Sequence, residues 1–429
     1  MSMRTSENSE RLLVPVNGQM APQYQNSIYC EAATIIISVL SICAIVAFVL
    51  SALILYCVFP TEEVPESSTC KKRVVGYYTG WESMKIKREQ LSKLTHVIFA
   101  YVEMSSNGTL KFRSKVSRRR FSDLRYKVKM NNSKTKIMFS IGGSENSNYF
   151  PEVVADSEKR RRFINSILDF LDVYQINGVD ISWAWPKKED KWNYVNFLKE
   201  LRQELSTFEY ILSIKVPPVN VGDWEMNYEM EEILDHVDFI NAFTMDYYGA
   251  WGDEWGTPTG PSSPLYSGIG TRKTFNVDWT MKYYVCRTKR PEKFNIAIPF
   301  YGTLWRNVED PINPDYEIWR NVELKDNKPE GKAYMSRLDM ANDGWKVTPA
   351  YWDHVTNSSY IWDPNERTFL AFESDRSIEA KTNYVNEMGL GGVWIWAVDM
   401  DDERNSLLNT VISNGLCAKE SDGTIKYKC

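Results

Sequence analysis

The run Asn177-Gly178-Val179-Asp180-Ile181-Ser182-Trp183-Ala184-Trp185-Pro186 sets one carboxylate and one hydroxyl inside an otherwise apolar stretch. Side chains alternate along a strand, so Gly178, Asp180, Ser182 and Ala184 share one face and Val179, Ile181, Trp183 and Trp185 the other. The bulky set suits packing against helices, which leaves the small and polar set facing the inside of a barrel. An inward carboxylate is costly unless hydrogen-bonded. Ser182, two residues on and on the same face, is expected to donate to Asp180, making the pair a structural support of the interior. Ala184, at the carboxyl end where barrel enzymes hold their chemistry, has no proton to give. The chain also carries 15 Trp and 24 Tyr, which either a large core or an aromatic-lined groove explains.

The composition narrows the chemistry further. Net charge is −5, from 51 basic and 56 acidic residues, so there is no basic excess to hold nucleic acid. With 3 His and no Cys-x-x-Cys pattern, no zinc site is expected, and no cofactor is implied. Modest Gly and Pro (22 and 18) exclude a collagenous or disordered chain.

The elements that must position Asp180 recur in a regular order. Strand-like runs occupy Val74–Tyr78, His96–Val102, Lys136–Ile141, Gly178–Trp183, Tyr210–Val216, Phe239–Met245, Phe294–Pro299 and Gly392–Ala397. Helix-like stretches separate them; Ser157–Tyr174 places Ile164, Ile167, Leu168 and Leu171 on one face. Eight such alternations predict an α/β fold, a (β/α)8 TIM barrel. The span 74–402 exceeds the typical length of about 250 residues, and the surplus lies between the seventh and eighth runs. An α+β subdomain inserted at about 305–388 is expected there. The basic clusters Arg118–Arg120 and Lys159–Arg162 read as solvated faces.

Residues 32–59 run for 28 positions without a charge, long enough to cross a hydrocarbon core of about 30 Å. The expected organisation is a polar tail (1–31), one transmembrane helix (32–59), a stalk (60–73), the barrel (74–402) and a C-terminal segment (403–429). Asn-x-Ser/Thr acceptors at Asn107, Asn131 and Asn357 all follow the span and favour a single-pass type II signal-anchor arrangement, with a lumenal or extracellular barrel. Basic-residue counting alone leans the other way, since Lys71, Lys72 and Arg73 follow the span and Arg4 and Arg11 precede it. Beyond the span lie Cys70, Cys286, Cys417 and Cys429, four disulfide candidates with three possible pairings.

Several strand ends together resemble glycoside hydrolase family 18, the chitinases and chitinase-like lectins. The segments are Gly76-Tyr77-Tyr78-Thr79-Gly80-Trp81, Leu94 to Tyr101, Ser140-Ile141-Gly142-Gly143, Asn177 to Pro186, Phe239 to Asp246, Ile298 to Gly302, and Gly391 to Trp396 closing in Asp401-Asp402. The resemblance implies an acidic pattern Asp-x-x-Asp-x-Asp-x-Glu on the fourth strand, where this chain has Asn177, Asp180, Ser182 and Ala184. The family Glu protonates the leaving oxygen and its last Asp steadies the substrate's own acetamide as that group attacks, a substrate-assisted route. Met245 stands where the family has a Tyr aimed at the acetamide. Three coupled losses point to a catalytically inactive, chitinase-like protein. For sugar binding the resemblance implies Trp396 as the floor of the central subsite, with Asp246, Tyr301, Trp81 and Tyr77 around it. Ser144 and Thr303 depart from it, standing where many relatives have Trp and Arg. The expected partner is a chitin-type oligosaccharide. The alternatives are an unidentified protein bound by a barrel that lost its sugar site, and residual hydrolysis using Asp246 or Glu145.

Overall fold

The computed structural model describes residues 39–51, 72–131, 133–413, 416 and 429. The chain divides into two units, Met1–Thr69 and Cys70–Cys429. In the first, residues 39–51 form a helix whose apolar side chains, such as Phe48 and Leu40, are exposed. Among the described residues no helix is long and apolar enough to cross a membrane; the remainder of the 32–59 span lies outside them.

In the second unit eight parallel strands close on themselves: β1 (Arg73–Thr79), β2 (His96–Met104), β3 (Lys136–Gly142), β4 (Gly178–Ser182), β5 (Ile211–Val216), β6 (Phe239–Ala242), β7 (Phe294–Pro299) and β8 (Gly392–Trp396). Neighbours in sequence are neighbours in the sheet, and closure is made by β1 pairing with both β8 and β2. Helices such as Ser157–Tyr174 cover the outside, burying Phe163, Ile164, Ile167, Phe170 and Leu171. The alternation expected on β4 holds on its outer face: Trp183 stacks on Phe150 at 5.1 Å, under the helices.

The insertion is a five-stranded antiparallel sheet with a short helix, Arg337–Asn342. Its strands run from Tyr301–Trp305 to Thr368–Phe372, so Tyr301 and Thr303 belong to it. The helix Asp375–Glu387 packs instead on β7 and β8, as a barrel helix.

One basic cluster departs from expectation. Arg120 is not on a solvated face: it is buried, and its guanidinium pairs with Asp399 at 2.9 Å. Asp399 also accepts from the Thr79 hydroxyl at 2.6 Å, so the pair locks the end of β1 to the turn after β8. Burial pushes the Asp399 carboxyl up to about 7 despite both partners. The helix periodicity carried the signal, since Arg120 lies on the same inward face as Phe121, Leu124 and Val128.

Of the four candidate cysteines, Cys286 and Cys429 form a disulfide; Cys70 and Cys417 lie outside the described residues. Asn107 and Asn131 are exposed and Asn357 is half-buried.

His96, at the start of β2, lies edge-on to Phe239 and shares a hydrogen bond with Thr95 Oγ1 at 2.8 Å. Burial, with Arg73 and Lys136 nearby, lowers its pKa to about 4. The folded ring is therefore neutral, and the stability this gives is present above the free value of about 6.5 and is lost as pH falls toward 4. Buried Asp399 and Asp401 have raised values and act in the opposite sense, favouring the fold at low pH. Comparison with His96→Gln isolates the histidine: the variant should lose less stability than wild type between pH 7 and 5 in denaturant titrations. Parallel losses in the two proteins would contradict this.

Candidate functional site

The site lies at the carboxyl ends of the strands, on a floor of buried polar groups. Asp180 is fully buried and accepts three hydrogen bonds, from Tyr77 Oη at 2.9 Å, Ser140 Oγ at 2.6 Å and Ser213 Oγ at 2.7 Å. Ser140 and Ser213 are its register partners on the flanking strands β3 and β5. The expected donor, Ser182, is not one of them; its buried hydroxyl has no hydrogen-bond partner. Residues i and i+2 of a strand are about 6.6 Å apart along it, whereas neighbouring strands are about 4.8 Å apart, so a short hydroxyl reaches across and not along. Desolvation raises the Asp180 pKa, opposed by Lys215 and the three hydroxyls.

Asn177 does not reach this site. At the opposite end of β4, its side-chain oxygen accepts from the Ile137 amide at 2.8 Å. Ala184 is half-buried at the mouth, its amide donating to Ser147 Oγ at 3.0 Å. Met245 is buried.

The predicted aromatic residues divide between rim and floor. Trp81 is 51% exposed, stacks on Tyr101 with centroids 6.1 Å apart, and lies 6.3 Å from half-buried Trp396. Tyr101 and Trp396 are 5.8 Å apart, so the three rings form one continuous apolar surface. Beside it a cavity of about 350 Å³ is lined by Trp81, Tyr101, Arg113, Val116 and Asn146. Tyr77 is fully buried and spends its hydroxyl on Asp180, so it supports the floor beneath Trp396.

Asp246 forms a second polar group, half-buried in a left-handed backbone conformation. It accepts hydrogen bonds from the hydroxyls of Tyr301, Tyr334 and Ser262. Burial raises its pKa, and those hydroxyls oppose the shift. Tyr301 is buried, with its own pKa pushed well up by burial and by Asp246. Thr303 is also buried, its hydroxyl donating to the Ala333 carbonyl at 2.9 Å. Glu145, outside this centre, pairs with Arg113 at 3.0 Å on the surface.

Three residues escaped sequence reasoning: Tyr101, Tyr334 and Lys215. Lys215 had a legible signal, being a lysine on the inward face of a buried strand (Ile211–Val216) whose other polar residue is Ser213. Among the described residues no cluster of three or more His, Cys, Asp or Glu could hold a metal ion.

The chain thus combines a closed parallel barrel, an antiparallel insertion after its seventh strand and an aromatic-rimmed cleft at the strand ends. The chain belongs to glycosyl hydrolases family 18, whose model matches residues 73–401. Chitinase A1 of Niallia circulans is 27% identical over 310 residues, covering 68% of this chain and 44% of the bacterial protein, so the match spans less than half of that relative. Human chitinase-3-like protein 2 is 26% identical over 352 residues, covering 77% and 87%. Among solved structures, the group IV chitinase of Ostrinia furnacalis aligns with a TM-score of 0.68 at 22% identity, covering 81% of this chain and 100% of that one. Human YKL-39, described as a pseudo-chitinase with retained chitooligosaccharide binding, aligns at 0.67 and 22% identity, covering 80% and 98%.

Proposed function

We propose that this chain is a catalytically silent, membrane-anchored chitinase-like lectin that binds chitin-type oligosaccharides at the barrel mouth. The observation that carries the silent half is the end of β4: Ala184 offers no proton, and Asp180 is fully buried beneath three hydroxyl donors. Asp246 and Glu145 are engaged elsewhere, the first by three hydroxyls and the second by Arg113. Binding is supported by the continuous surface of Trp81, Tyr101 and Trp396, since such pockets pair apolar walls with few polar groups. The relatives add support, because YKL-39 is a pseudo-chitinase that keeps chitooligosaccharide binding.

The anchor is the uncharged span 32–59, with the barrel lumenal or extracellular and Asn107, Asn131 and Asn357 as the glycosylation acceptors. A glycosidase-sensitive mass shift, lost in the triple variant Asn107→Gln/Asn131→Gln/Asn357→Gln, tests that topology; an unshifted chain from a secretory host would contradict it. Retention of the full-length chain on chitin beads, with release by chitohexaose, tests the binding. A chain that washes through favours the second reading, a protein-binding ectodomain on the same scaffold. Buried Thr303, at a position where many relatives carry Arg, is the observation on that side.

A further inference from the structure

Lys215 is not one of the rings of the proposed sugar surface, yet it lies against two of them, Tyr101 and Trp396. On β5, Ser213 points into the barrel and donates to Asp180, so Lys215, two residues on, points inward one layer nearer the mouth. A lysine at that height can extend its ammonium into water. Here it is only 4% exposed. Its Nζ lies 5.1 Å from the ring centroid of Tyr77, 5.2 Å from those of Trp394 and Trp396, 5.7 Å from Phe243 and 5.8 Å from Tyr101.

The polar environment is sparse. Tyr101 Oη, at 3.3 Å, is the hydrogen-bond partner of the ammonium, and no carboxylate is within ion-pair distance among the described residues. Asp180 and Asp246 act on it only from farther away, each already held by three hydroxyls. Cation–π attraction from the surrounding rings compensates for lost hydration. The strand register, which pairs Asp180 with Ser213 and Ile181 with Ile214, continues to set short Ser182 beside Lys215, leaving room for the long side chain. Close packing favours filling such a space from within.

We infer that Lys215 is a built-in occupant of the pocket beneath Trp396, and that it sets the specificity of the cleft. It closes the space into which the N-acetyl substituent of a sugar stacked on Trp396 would descend. The cleft then recognises the faces of β-1,4-linked hexopyranose rings on Trp81, Tyr101 and Trp396, and does not read the substituent at carbon 2. Plain glucose chains are accordingly accepted beside N-acetylglucosamine chains. This inference rests on the proposed sugar binding.

The test is calorimetric titration of the full-length chain in detergent micelles with chitohexaose and with cellohexaose. Wild type, Lys215→Ala, Lys215→Ser and the volume-preserving Lys215→Met are compared. Wild type and Lys215→Met should bind the two hexaoses within about fivefold of each other, and the small variants should prefer chitohexaose by about tenfold or more. A wild-type preference for chitohexaose beyond that, or an unchanged ratio in the small variants, overturns the occupant role while leaving sugar binding intact. Wild type binding neither sugar while a small variant gains chitohexaose would uphold the occupant and refute native sugar binding. No binding in any folded variant overturns both. Should the small variants not fold, the wild-type ratio decides alone.

Discussion

Replacing Asp180 by alanine is expected to destabilise the barrel by about 3–5 kcal/mol, the usual cost of removing one partner from a buried charged cluster. The carboxylate is the shared acceptor for Tyr77, Ser140 and Ser213, which reach it from β1, β3 and β5. Its loss leaves three buried hydroxyls without that acceptor and removes a buried carboxylate that interacts with Lys215. Asp180→Asn keeps an acceptor oxygen and should cost less. Ser182→Ala is the internal control: its hydroxyl is buried without a partner, so removal should be neutral or slightly stabilising, within about 1 kcal/mol. Urea unfolding of the three variants orders these effects. An Asp180→Ala cost no larger than that of Ser182→Ala would contradict the support role.

Ala184→Glu alone is expected to leave chitobioside turnover at background. General acid catalysis contributes about 10²–10⁴ in rate, but only when the groups it works with are present. Around position 184 they are absent. Ser182 offers a hydroxyl where the family has a carboxylate, and Met245 offers a buried thioether where it has a phenol. Asp180, below, is enclosed by its donors. Release of a chromogenic leaving group measures the outcome. Turnover by the single variant at levels typical of the family would contradict the proposal that coupled losses at positions 182, 184 and 245 silence the site.

Much of the architecture was legible because eight apolar runs separated by amphipathic stretches admit few closed packings. The insertion was visible as surplus length, but its start was not. Tyr301 follows β7 after one residue, and the apolar run crosses the boundary without a break. Within the site, Trp396 and Trp81 lie close together at strand ends, and Asp246 follows β6 among the hydroxyls of Tyr301, Tyr334 and Ser262. The donors to Asp180 could not be read from its own strand, because they arrive through sheet register. Tyr77 was legible as an aromatic near the cleft; its burial depends on Asp180 claiming its hydroxyl. Arg120 and Lys215 were misplaced for a common reason. Charged residues are expected at the surface, and each is buried by partners distant in sequence: Asp399 for Arg120, and five rings on or just after four other strands for Lys215.

The central claim is that a silent barrel keeps a sugar-binding cleft. Its most direct test is a titration of the full-length chain in detergent with chitohexaose, followed by tryptophan fluorescence in wild type and Trp396→Ala. Saturable quenching in wild type that disappears in the variant is the predicted result, because Trp396 joins Trp81 and Tyr101 into one surface. A flat response from folded wild-type protein, or quenching that survives in Trp396→Ala, would contradict it.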